Sequence, residues 1–195
     1  MTRLEFLFDF GSPTTYLAHK RLPELVERTG ATVDYVPVLL GGLFKATGNA
    51  SPAAVPAKGR YMNVDMDRFA ARHGIDLKPN PFFPINTITL MRIAAGLKGD
   101  RRFMPYVEAV FDAMWADERN MGDPEILAAV LSAAGLDAPA LMEIAADQGA
   151  KDRLKAATEA AVARGVFGAP TFFVGEAMYF GQDRLDWVED ALLNQ

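Results

Sequence analysis

Residues 166–195 read VFGAPTFFVGEAMYFGQDRLDWVEDALLNQ, and this stretch decides the fold. Two short runs, TFFV (171–174) and AMYF (177–180), flank Gly175-Glu176. A two-residue connection with glycine first suits a type II′ turn, because its first central residue takes a positive φ, so an antiparallel hairpin is expected. A short helix is expected from Gln182 onward. Upstream, the helical pattern that ends in AAVARG puts Gly165 where a C-terminal cap belongs. The end of the chain therefore reads α-β-β-α.

The beginning has a complementary grammar. LEFLFDF (4–10) reads as a buried strand, and Leu17, Leu22, Leu25 and Val26 mark the inner face of a helix that Pro23 is expected to bend. ATVDYVPVLL (31–40) alternates like a second strand, so the first forty residues form a βαβ unit with parallel strands. From about 43 to 164 the pattern is helical, broken by Pro/Gly clusters, with apolar residues at helix spacing in RFMPYVEAVFDAMWA (102–116). The pieces predict an α/β thioredoxin-like fold, β-α-β... α-β-β-α, with a large helical insertion. Residues 1–40 and 165–195, with the helix at about 151–164, are expected to form the thioredoxin-like domain, and 41–150 the inserted helical domain.

Composition narrows the chemistry. The chain has 195 residues, half of them hydrophobic, with a net charge of −5. That balance gives no electrostatic footprint for nucleic acid or an anionic membrane. No apolar run reaches membrane-spanning length and Met1-Thr2 leads straight into RLEFLFDF, so a cytoplasmic protein is expected. Cysteine is absent, which removes disulfides, thiolate ligands and any protein thiol nucleophile. Any sulfur chemistry must be borrowed. His19 and His73 have no metal-ligand spacing, which argues against a metal centre or a Ser-His-Asp triad. Gly-rich nucleotide signatures are missing, and Phe10 and Thr14 flank Ser12 where a nucleophile elbow needs glycines.

Ser12 stands in FDFGSPTTYLAH (8–19). Its hydroxyl can cap a helix whose first residue is Pro13, which has no N–H to lose. The same terminus is electropositive and suits an anion. The residues alone leave both readings open.

Six blocks in order give the chain a family resemblance: FDFGSPTTYLA (8–18), LLGGLFKATGN (39–49), KGRYMNVDMDRFA (58–70), FFPINT (82–87), GVFGAPTFFV (165–174) and FGQDRLDWVE (180–189). Together they resemble the 2-hydroxychromene-2-carboxylate isomerases, with kappa-class glutathione transferases and DsbA-type oxidoreductases as wider relatives. The resemblance implies that Ser12 takes the place of the attacking cysteine of the DsbA-like proteins and activates a bound glutathione thiolate. It implies a cis-proline at Pro170, with the Ala169 backbone pairing with glutathione, and a γ-glutamyl site at Gly181, Gln182 and Asp183. Asn49 and Lys58 match positions on the opposite wall of the glutathione cleft. Lys45 and Asn86 match substrate-binding positions, while Arg92 lies in the segment that separates isomerases from transferases. Phe82, Phe83 and Trp115 are candidates for an aromatic wall, with core packing as the ordinary alternative.

The activity so implied is glutathione-dependent isomerisation of 2-hydroxychromene-2-carboxylate to trans-o-hydroxybenzylidenepyruvate in naphthalene-type catabolism. The partners implied are glutathione and a small aromatic carboxylate, in a homodimer. A kappa-like transferase and a redox-inert thioredoxin-like glutathione-binding protein are the alternatives.

Overall fold

The computed structural model describes residues 2–194. Four strands form one sheet in the order β2-β1-β3-β4: β1 (Arg3–Phe8), β2 (Thr32–Pro37), β3 (Thr171–Val174) and β4 (Ala177–Phe180). β1 runs parallel to β2, with Phe6 beside Tyr35, and antiparallel to β3, with Phe6 beside Phe172. The two ends of the chain thus build the sheet together. β3 is buried along its whole length, which is why TFFV is continuously apolar, whereas β4 is an exposed edge. Gly175 has φ 59° and Glu176 has no positive φ, the pattern of the expected type II′ turn.

Helix α1 (Pro13–Thr29) lies between β1 and β2. The Ser12 side chain accepts from the Thr15 N–H, Pro13 opens the helix, and Gly30 closes it at φ 65°. It continues unbroken through Pro23, whose ring forgoes one backbone bond. The middle of the chain supplies α2 (Leu40–Thr47), α3 (Pro56–His73), α4 (Ile88–Leu97), α5 (Phe103–Trp115), α6 (Pro124–Ala133), α7 (Ala138–Ala146) and α8 (Gln148–Ala163), and α9 (Leu185–Leu193) closes the fold. Gly165 ends α8 as expected: at φ 85° its N–H meets the Val162 carbonyl, and the Val166 N–H returns to Ala161. This satisfies carbonyls the helix leaves open and turns the chain into β3.

One hydrophobic cluster joins the sheet to the helical layer. Phe8 and Phe10 meet Phe111 of α5 with ring centroids 5.9 and 4.7 Å apart, and His19 is buried with its ring 4.8 Å from Phe111. A polar tie accompanies this packing: buried Trp115 donates from Nε1 to the Phe10 carbonyl at 2.8 Å. The β1–α1 corner is therefore held from behind by the inserted helices. Among the described residues no helix is long and apolar enough to cross a membrane.

Candidate active site

A cavity of about 560 Å³ opens at the β1–α1 corner, between the start of α1, α2, α3 and the loop entering β3. Ser12 is 5 % exposed at its edge. Its Oγ donates to the Ala169 carbonyl at 3.0 Å, accepts from the Thr15 N–H at 3.2 Å and lies 3.0 Å from Thr14 Oγ1. The Ala169–Pro170 peptide is cis, as is Phe83–Pro84, which the sequence reading does not anticipate. Among the described residues the N–H groups of Thr14 and Ala169 donate to no protein acceptor. Two free donors, a hydroxyl and the positive end of a 17-residue helix thus border one space. Such a group suits a small anion.

Asp9, missed in the sequence, organises this corner. It is 1 % exposed; Oδ1 accepts from the Gly11 N–H at 2.9 Å and from Thr87 Oγ1 at 2.8 Å, and Oδ2 from the Leu40 N–H at 2.7 Å. One carboxylate therefore pins the serine corner, the start of α2 and the approach to α4. Burial pushes its carboxyl above the ordinary value, opposed by the bonds from Gly11, Leu40 and Thr87. Its signal was available: an acid between Phe8 and Phe10, at the end of a buried strand, needs dedicated donors.

The remaining wall is mostly apolar. Phe44, Met62, Met66, Phe83, Ile85 and Phe180 contribute, with Phe167 packed 4.5 Å from Phe180. Gly168 lets Phe180 approach, since a Cβ there would lie 2.9 Å from the ring.

The expected site residues divide into those at the cavity and those away from it. Ser12, Ala169 and Asn49 line it; Asn49 is exposed and donates from Nδ2 to the Phe167 carbonyl at 2.9 Å, closing the rim. Pro170 follows Ala169, and exposed Lys58 stands beside cavity-lining Gly59. Gly181 follows Phe180 at φ 103°, where a side chain would be strained, and spends its N–H on the Pro170 carbonyl at 3.0 Å. Buried Gln182 holds Arg21, which donates to its carbonyl at 2.8 Å and to Oε1 at 3.2 Å. Asp183 is exposed and pairs with Arg184 at 2.6 Å.

Lys45 and Arg92 line a different cleft, on the other side of α2. Asn86 is exposed and accepts from the Ile88 N–H at 3.0 Å, next to Ile85 and Thr87, which do line the cavity. Trp115 packs in the core, and half-exposed Phe82 lies outside the cavity lining.

Comparison with known proteins agrees with this architecture. Residues 3–193 match the family model of the DSBA-like thioredoxin domain. A 2-hydroxychromene-2-carboxylate isomerase of Sphingobium xenophagum is 33% identical, with 98% of each chain covered. Glutathione S-transferase kappa 1 of Caenorhabditis elegans is 28% identical, covering 98% of this chain and 91% of its own. A solved 2-hydroxychromene-2-carboxylate isomerase superimposes with a TM-score of 0.88 at 32% identity, over 97% of this chain and 94% of that one. By fold and by near-full-length similarity, the chain belongs to the DSBA-like thioredoxin domain family and, within it, to the 2-hydroxychromene-2-carboxylate isomerases.

Proposed function

We propose that this protein is a glutathione-dependent isomerase that interconverts 2-hydroxychromene-2-carboxylate and trans-o-hydroxybenzylidenepyruvate in naphthalene-type catabolism, working in the cytoplasm as a homodimer. The observation that carries the reading is the contact between Ser12 Oγ and the Ala169 carbonyl at 3.0 Å, beside a cavity in a chain without cysteine. A thioredoxin-like corner with an oxygen where sulfur chemistry is expected suits a thiol brought in from outside.

The cavity fits such a thiol compound. Its free N–H groups at Thr14 and Ala169 offer an extended peptide both an anion site and backbone pairing. Asn49 lines the same cavity, while Lys58, Pro170 and Gly181 each stand next in sequence to a residue that does. When bound, glutathione supplies the nucleophilic sulfur this chain lacks, and addition followed by elimination returns it unchanged. The Ser12 hydroxyl, which here donates to the neutral Ala169 carbonyl, would donate instead to a thiolate bound beside it, since its hydrogen turns freely about the Cβ–Oγ bond. A charge-assisted bond is roughly twice as strong as a neutral one, so the exchange favours the ionised thiol. The apolar wall of Phe44, Met62, Met66 and Phe83 receives an aryl group and excludes water from it. Lys45, Asn86 and Lys58 all stand outside the cavity lining, each next in sequence to a residue that lines it, and the substrate carboxylate is assigned to none of them.

The kappa-class relative keeps transferase chemistry as a second reading. Stoichiometry separates them. With purified protein, excess chromene substrate and substoichiometric glutathione, the isomerase reading expects complete conversion with all free thiol retained. Loss of one thiol per turnover, with a stable thioether formed, identifies a transferase. No glutathione-dependent turnover and no calorimetric heat at millimolar glutathione removes both. Light scattering tests the dimer.

A further inference from the structure

The second cleft, where Lys45 and Arg92 lie, has a volume of about 700 Å³ between α2, α4 and α8. Its lining carries four cations, Lys45, Arg92, Lys151 and Lys155, against two carboxylates, Asp152 and Glu159, in a chain whose net charge is −5. Both carboxylates are already engaged: Asp152 accepts from Gln148 at 2.8 Å, and Glu159 lies 3.8 Å from Lys155. Among the described residues Lys45, Arg92 and Lys151 form no ion pair and no side-chain hydrogen bond. Between these cations Leu39, Ile88, Leu154 and Val162 supply an apolar floor.

Arg92 comes from α4, Lys45 from α2 and Lys151 from α8, so the positive charge surrounds the cleft rather than following one helix face. The three helices are tied together there. The Leu39 N–H donates to Thr158 Oγ1 at 3.0 Å, and Thr158 donates to the Leu154 carbonyl at 2.8 Å. A Cβ on Gly42 would lie 3.1 Å from the Thr158 methyl, so α2 and α8 are in close contact. The cleft is therefore a shaped feature of the packed helices, within the size range of small-molecule sites.

We infer that this cleft is a second binding site, separate from the Ser12 cavity, for an amphiphilic organic anion with one carboxylate on an aromatic or aliphatic body. The chemistry sets that class. A bare inorganic anion leaves the apolar floor wet, and a neutral hydrocarbon leaves three cations without a partner. An aryl or alkyl carboxylate satisfies both. The inference stands on the cleft alone and does not depend on the glutathione reaction.

The probe is 2-naphthoate, titrated into protein labelled at isoleucine δ1 methyls and followed by NMR. Ile88 reports the second cleft and Ile85 the Ser12 cavity. The Ile88 methyl is expected to shift saturably. Replacing two cations together, Arg92→Ala with Lys151→Ala, should weaken that isotherm about tenfold or more, as losing charge-assisted contacts does, while leaving any Ile85 response in place. Neutral 2-naphthalenemethanol should bind there about tenfold more weakly, and inorganic phosphate should give no comparable shift. An Ile88 methyl unmoved at 5 mM probe overturns the proposal, as does a response confined to Ile85. Equal affinity in the doubly substituted protein, or for the neutral alcohol, overturns it as well.

Discussion

The two sides of α2 solve opposite problems. On one side, Leu40, Gly41 and Phe44 face the Ser12 cavity, where buried side chains are held by hydrogen bonds: Asp9 accepts three, and the Ser12 hydroxyl is shared between Thr15 and Ala169, while the Thr14 and Ala169 N–H groups stay open. On the other, Gly42, Lys45 and Ala46 face the second cleft, where three cations stand without partners among the described residues. Buried hydrogen bonds fix where atoms sit, whereas exposed charges attract without fixing geometry. The first arrangement suits chemistry at one oxygen. The second suits binding through charge and area.

Removing a buried acceptor should therefore cost stability, and removing an exposed charge should cost little. Asp9→Ala is expected to have the largest effect. It leaves the Gly11 and Leu40 N–H groups and the Thr87 hydroxyl without their acceptor, a loss of about 2 to 4 kcal/mol after relief of the buried charge. Urea unfolding measures it; a loss under about 0.5 kcal/mol, the range of ordinary surface changes, would break the comparison. Trp115→Phe comes next. It keeps most of the ring packing but leaves the Phe10 carbonyl unpaired, for a loss of about 1 to 2 kcal/mol by the same measurement.

Glu108 gives the smallest effect and extends the contrast to a half-exposed carboxylate. It lies 3.1 Å from both His19 Nε2 and Lys20 Nζ, and His19 chiefly holds its carboxyl down at about 2. Because the folded value is depressed, its contribution is present above the ordinary carboxylate range and is lost as pH falls towards 2. With nearly half of the Glu108 side chain exposed, that contribution is below about 1 kcal/mol. Glu108→Gln should therefore flatten the acid limb of stability against pH and leave stability near pH 7 within about 1 kcal/mol of wild type. A steeper acid limb in the variant would reverse the sign.

The fold was legible where its signals are local. The Gly175-Glu176 hairpin, the Gly165 cap, the Ser12-Pro13 helix start and the parallel βαβ unit all depend on a few adjacent residues and their backbone preferences. The lining of the candidate site was legible at the same corners and less so between them. Lys45 shows why: it follows Phe44 directly, but one residue is about 100° around a helix, and local sequence does not say which face meets which cavity. Asn86 poses the same problem between Ile85 and Thr87, two cavity residues. Asp9 was hidden differently. Its donors come from residues 11, 40 and 87, so its role exists only after tertiary packing.

The proposed function turns on the Ser12 hydroxyl supporting a borrowed thiolate. The direct measurement is the ultraviolet absorbance of bound glutathione thiolate against pH, in wild type and Ser12→Ala, with rates recorded beside it. A lost charge-assisted bond of about 1.5 to 3 kcal/mol should raise the bound thiol's pKa by roughly one to two units and lower kcat at neutral pH about ten- to a hundredfold, with glutathione affinity falling less. An unchanged thiol pKa together with unchanged turnover would contradict the claim and leave Ser12 as the cap of α1.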